Sequence, residues 1–160
     1  MALKLTLKPG ERVVVNGCVI RNSDRRHVIT IENRADIVRG HDLLEADGEV
    51  TPVRKVYFLI QSVLIQSELR DTVVPLIQRQ LAALVTVFGQ PSMGRIFEAA
   101  NFVSQSDYYK AMRALRPVLD HEQEVLSYAR AGAAMGDPTP DATTDVMTDP
   151  ATDPTHETTP

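Results

Sequence analysis

Leu3-Lys4-Leu5-Thr6-Leu7-Lys8-Pro9-Gly10-Glu11-Arg12-Val13-Val14-Val15-Asn16-Gly17-Cys18-Val19-Ile20-Arg21-Asn22 reads as short strands separated by tight turns. Leu3, Leu5 and Leu7 alternate with Lys4, Thr6 and Lys8, the period-2 mark of a strand with one buried face. Pro9 presets φ for a turn, and Gly10 supplies the positive φ that a type II turn requires. Arg12 to Val15 is mostly β-branched, and Asn16-Gly17 suits the two positive-φ positions of a tight hairpin. Cys18 to Asn22 is then the return strand. Basic side chains recur throughout, so the stretch is expected to form a small β platform that carries a binding surface.

Further along, Asn22-Ser23-Asp24 is a turn, and His27–Glu32 alternates as another half-buried strand. Asn33 to Asp36 is turn-like, Ile37-Val38 starts a shorter apolar piece, and His41–Ala46 fits either a fifth strand or a helical turn. Asp47-Gly48 closes the β region. At Thr51-Pro52 the period changes. Thr is a good helix N-cap, and Pro is tolerated at the first helical position, where its missing N–H needs no partner. Val53, Val56, Tyr57, Ile60, Val63 and Leu64 recur at helical spacing, predicting a central helix to about Ser67.

A second helix is expected from a cap at Asp71 or Thr72, with Pro75 in its first turn and Gly89 with Pro91 as its stop. A third spans about Ser92 to Ser104. A fourth follows Ser106 and Asp107, is kinked or divided at Pro117, and stops at Gly132. The expected fold class is α+β. A small N-terminal antiparallel sheet or partial barrel (residues 1–50) precedes a C-terminal helical bundle packed on it (51–131). A disordered acidic tail rich in Thr, Pro and Asp (132–160) completes the chain.

The formal net charge of −4 is unevenly spread. From Gly132 onward there are Asp137, Asp141, Asp145, Asp149, Asp153 and Glu157 but neither Lys nor Arg. Residues 1–39 hold eight Lys/Arg against four Asp/Glu, so the β region is the electropositive part. The single cysteine, Cys18, excludes an intramolecular disulfide and a multi-cysteine zinc site, and is expected to be a small buried thiol. The first residues lack the apolar run of a secretory signal, and neither Tyr57–Ile65 nor Val73–Phe88 is long and apolar enough to span a bilayer. A cytoplasmic location without membrane contact is expected.

Catalytic and metal chemistry find little footing. His27, His41, His121 and His156 are not paired at ligand spacing, so no metal and no cofactor is expected. Gly89-Gln90-Pro91-Ser92-Met93-Gly94-Arg95 lacks the Gly-Lys-Ser/Thr ending of a phosphate loop and reads as a turn between helices. No serine sits in a nucleophile elbow. The carboxylates at Asp42/Glu45/Asp47/Glu49 and Asp120/Glu122/Glu124 have the spacing of solvated surface. The chain does not read as an enzyme. Its basic β region can hold phosphate or stack on splayed bases through guanidinium groups. Residues 1–56 contain no Phe, Tyr or Trp, so an aromatic base-stacking platform is missing there. The apolar runs Val56–Ile60 and Ala82–Val85 offer the competing reading of a groove for a partner helix or a homodimer face.

The opening run through Asn22, with Asp24-Arg25-Arg26 after it, closely resembles the start of the FlbT family of flagellin repressors. The likeness continues through Thr51-Pro52 and Val56-Tyr57-Phe58 and, more loosely, to about residue 130. It implies a post-transcriptional regulator of flagellum biogenesis that binds the 5′ untranslated region of flagellin mRNA, represses translation and promotes degradation of the message. For that function the expected RNA contacts are basic side chains of the β region, Lys8, Arg12, Arg21, Arg25 and Arg26. The family acts alongside a second small flagellar regulator, FlaF, and the helical surface is its expected docking site. The alternative is a protein-binding adaptor or flagellin secretion chaperone without RNA contact. A weaker likeness, to the first hairpin of the carbon-storage regulator family, lies in Gly10-Glu11 and the aliphatic-Asn16-Gly17 turn.

Overall fold

The computed structural model describes residues 1–135 and is built from five short strands and four helices. β1 (Leu3–Leu7) pairs antiparallel with β4 (His27–Ile31), Leu5 opposite Ile29. A separate sheet has the order β3–β2–β5, made of β2 (Arg12–Val15), β3 (Cys18–Arg21) and β5 (Ile37–Arg39), all antiparallel. These two sheets do not close into a barrel. β1 and β2, although adjacent in sequence, belong to different sheets.

The alternation of β2 explains the layering. Val13 faces β1–β4 and joins Leu5 and Leu7 in a small core, with Ile29, Ile31 and Ile37 against it. Val14 points the other way and, with Val38, joins the large core of the helices. Because successive side chains of a strand face opposite sides, one strand serves two cores. At the β2–β3 turn Asn16 has φ 49° and Gly17 φ 81°, as a two-residue type I′ hairpin needs, and Val15 pairs with Cys18. A Cβ on Gly17 would lie 2.7 Å from the Leu64 carbonyl oxygen, so this glycine also lets the hairpin seat on the first helix.

α1 (Pro52–Ile65) starts as expected, with Thr51 Oγ1 accepting from Arg54 N at 3.3 Å. α2 (Arg70–Val87), α3 (Ser92–Ser104) and α4 (Tyr108–Met135) follow. α1 packs on α2 and α4, and α3 packs on α2 and α4, giving a closed ring of four helices. The run Val56–Ile60 is consumed by this packing, with Val56, Tyr57 and Ile60 buried and Phe58 and Leu59 half-buried. Of the second run, Leu84 is buried while Ala82 and Ala83 are exposed.

Several expectations are corrected. Cys18 is exposed, because β3 is an edge strand on which all four residues stay open to solvent. Of the two alternatives for His41–Ala46, the helical turn is the one that forms. Gly40–Asp42 forms a 3-10 turn, and Gln61 satisfies the backbone of Leu44 by accepting from its N–H at 2.8 Å and donating to its carbonyl at 2.9 Å. A 3-10 turn at Ser67–Leu69 leads into α2, which has no side-chain cap, and Pro75 is its sixth residue, past the first turn. α4 is continuous through Pro117 and runs past Gly132 to Met135. The expected tail lies outside the described residues from 136 onward. Glu122 is not solvated surface; it is 6% exposed and accepts from Val53 N at 3.0 Å and from the Thr51 hydroxyl.

Candidate nucleic-acid interface

The end of the β2–β3 hairpin away from its turn gathers the basic residues. The ladder continues past the strands, with Asn22 N donating to Glu11 O and Gly10 N to Ser23 O, both at 2.8 Å. This sets Lys8 next to the 22–26 loop. Asn22 fastens the two together: its side-chain Nδ2 donates to the carbonyls of Lys8 and Arg25 at 2.7 Å and of Leu7 at 3.1 Å. His27 Nδ1 donates to Asn22 Oδ1 at 2.9 Å, orienting the amide. Arg12 and Arg21 are directly opposed in the β2–β3 register. Four of the five expected contact residues thus fall into two adjoining pairs, Lys8 with Arg25 and Arg12 with Arg21. Arg26 follows Arg25 in the same exposed loop.

The charges there differ in availability. Arg12 is taken up by an ion pair with Glu45. Arg39 Nη2 lies 3.0 Å from Glu11 Oε1 and donates to the Thr6 carbonyl at 3.1 Å, tying the two sheets together. The Glu11 carboxyl is held below its usual range, first by the Lys8 backbone N–H at 2.8 Å and then by Arg39. Lys8, Arg21, Arg25 and Arg26 are exposed and make no ion pair among the described residues. A shallow groove of about 540 Å³ opens beside Lys8, which lines it with Arg12, Arg39 and His41 together with Glu11 and Glu45. An unpaired cation at the surface keeps its full attraction for a phosphate, whereas one held by a carboxylate has to exchange partners. Lys8, Arg21, Arg25 and Arg26 are therefore the stronger anion-binding candidates, and Arg12 the weaker.

Elsewhere the described residues contain no group of three or more His, Cys, Asp or Glu side chains that could hold a metal ion. No helix among them is long and apolar enough to cross a membrane. Arg34 belongs to the basic series of the β region, whereas nothing in the sequence marks Arg113 and Tyr109 as its neighbours. They are scattered in the chain, and only the packing of α4 beside the β4–β5 loop brings them to one surface.

Compared with known proteins, residues 3–126 match the family model described as Flagellar protein FlbT. The chain belongs to the FlbT family. The match starts with β1 and ends within α4, so it takes in both sheets and the ring of helices. A FlbT-named relative, the flagellum biosynthesis repressor protein FlbT of Caulobacter vibrioides, is 31% identical over 137 residues, which cover 85% of this chain and 97% of that protein. The probable flagellum biosynthesis repressor protein FlbT of Rhodopseudomonas palustris is 35% identical over 131 residues, 79% of this chain and 99% of the relative. Its counterpart of the same name in Mesorhizobium japonicum is 30% identical over 125 residues, 78% of this chain and 84% of the relative. No solved structure matches this FlbT-family chain.

Proposed function

We propose that this FlbT-family chain is a cytoplasmic, non-catalytic regulator that represses flagellum biosynthesis by binding the 5′ untranslated region of flagellin mRNA. The single observation that carries the reading is the cluster of Lys8, Arg21, Arg25 and Arg26 at one end of the β2–β3 hairpin, exposed and free of ion pairs among the described residues. The names of the relatives, flagellum biosynthesis repressors, support the regulatory side. In this account the cationic end grips the phosphates of the leader and Arg side chains stack on unpaired bases. An occupied leader hinders ribosome loading and leaves the message open to cellular ribonucleases.

Arg25→Ala/Arg26→Ala tests this without touching the core, since both side chains lie in an exposed loop. In a titration of labelled flagellin leader RNA, the double variant is expected to bind about tenfold or more weakly than wild type. Its log–log salt slope should be shallower by roughly 1.4 if each arginine holds one phosphate of single-stranded RNA. Equal affinity and slope in the two proteins would remove the cationic end from the mechanism.

A second reading, an adaptor that binds FlaF or flagellin, draws on the far end of α4. There Val125 and Tyr128 are exposed one helical turn apart. Leader binding by the purified protein alone separates the two readings.

A further inference from the structure

Tyr109 and Arg113 of α4 stand between two depressions that adjoin on the helical side of the molecule. One is a slot of about 290 Å³ between β5, α1 and α4, with apolar walls from Ile37, Val38, Met112 and Pro117. Its volume is near the roughly 300 Å³ lower bound of small-ligand pockets. The other is a shallow groove of about 320 Å³ carrying Arg34, Arg95, Lys110 and Arg113 against only Asp36 and Glu98. Tyr109 and Arg113 line both. The Arg113 guanidinium carbon is 5.8 Å from the Tyr109 ring centroid, and Lys110 Nζ is 5.7 Å from that of Phe102. Arg95 is paired with Glu98 and Lys110 with Asp107, whereas Arg34 and Arg113 make no ion pair among the described residues.

An apolar slot with an aromatic rim, opening onto a groove with excess positive charge, matches a ligand that joins a flat ring to an anion. A helix of a partner protein would need a longer apolar trough than this one. The slot is also linked to the groove beside Lys8. His41, on the rim of the hairpin groove, is joined through its carbonyl to Arg116 at 3.5 Å, and Arg116 Nη1 holds Asp42 at 3.2 Å on the slot wall. Burial pushes the neighbouring Tyr57 phenol up to about 12, so it stays protonated and donates to the Asp42 carbonyl at 2.9 Å. That bond keeps the wall in place.

We infer that this is a second contact for single-stranded RNA, in which one unstacked base enters the slot against Tyr109 and the adjacent phosphates lie along Arg113 and Arg34. The inference rests on the RNA-binding reading above and adds a base-reading site outside the β region, which itself has no aromatic side chain. Stacking on an aromatic ring contributes affinity with little salt dependence, whereas a phosphate contact carries salt dependence. The two kinds of residue are therefore separable by experiment.

The test is anisotropy of labelled flagellin leader RNA across a salt series, with the full chain as wild type, Tyr109→Ala, Arg113→Ala and Arg25→Ala/Arg26→Ala. Thermal melts identify any variant that fails to fold. Tyr109→Ala is expected to lose about tenfold in affinity with an unchanged salt slope. Arg113→Ala, at an exposed position that the fold does not need, is expected to lower the slope by about 0.7. Wild-type binding by both groove variants, beside a weakened Arg25/Arg26 variant, would overturn the groove and leave the hairpin reading standing. Absence of binding by folded wild type would overturn both.

Discussion

Glu122→Ala is expected to destabilise the protein by about 3 kcal/mol, far more than its place in an acidic run implies. The carboxylate accepts from the Val53 backbone N–H at 3.0 Å and from the Thr51 hydroxyl, both at the N-terminus of α1. That is where a helix has unpaired N–H groups and the positive end of its dipole. Since Glu122 is on α4, the contact fixes the first helix to the last. Truncation leaves two buried donors without acceptors, and water does not reach them readily at a site only 6% exposed. Glu122→Gln keeps an acceptor and loses the charge, so a smaller cost of about 1 kcal/mol is expected. Glu124→Ala, two residues on and exposed, should stay within about 0.5 kcal/mol of wild type. Urea unfolding of the three variants checks the ordering, read from midpoints at constant m. Equal midpoints for Glu122→Ala and Glu124→Ala would contradict the capping role.

Gly17→Ala is expected to cost about 2–4 kcal/mol, from two sources that act together. The residue sits at φ 81°, where an L side chain is strained, and the added Cβ would be 2.7 Å from the Leu64 carbonyl oxygen of α1. Neither turn nor helix backbone yields easily, so relief requires the hairpin to lift from the helix. Gly10→Ala separates the sources. Gly10 has φ 69° but nothing within 4 Å of its ideal Cβ, so only the strain of about 1–2 kcal/mol applies. The same denaturation series measures both, and a Gly17→Ala cost no larger than that of Gly10→Ala would show that the hairpin does not rest on α1.

These two positions show what local sequence can and cannot report. Asn16-Gly17 announced its own turn because the φ requirement lies within the dipeptide. Thr51-Pro52 announced the start of α1 for the same reason, and the leucine alternation of β1 marked Leu5 and Leu7 as buried. Pairing was not legible. β1 joins β4 rather than the adjacent β2, a choice made by cross-strand packing of residues far apart in the chain. Burial of Glu122 was hidden because its partner Thr51 lies 71 residues away. Residue type alone makes Cys18 a buried thiol, yet its strand lies at the sheet edge. In the candidate site the cations could be named from sequence. Which of them an acidic neighbour takes could not, since Glu45 reaches Arg12 from 33 positions on.

Flagellin leader RNA held by the cationic end of the β2–β3 hairpin must lie within reach of that end's side chains in the complex. Ultraviolet cross-linking of full-length protein to that RNA, with the attached peptides located by mass spectrometry, tests it most directly. Cross-links are expected within residues 8–12 and 21–27, where Lys8, Arg21, Arg25 and Arg26 are gathered around Asn22. Cross-links confined to the exposed faces of α2, with none on the hairpin or its loop, would contradict that placement.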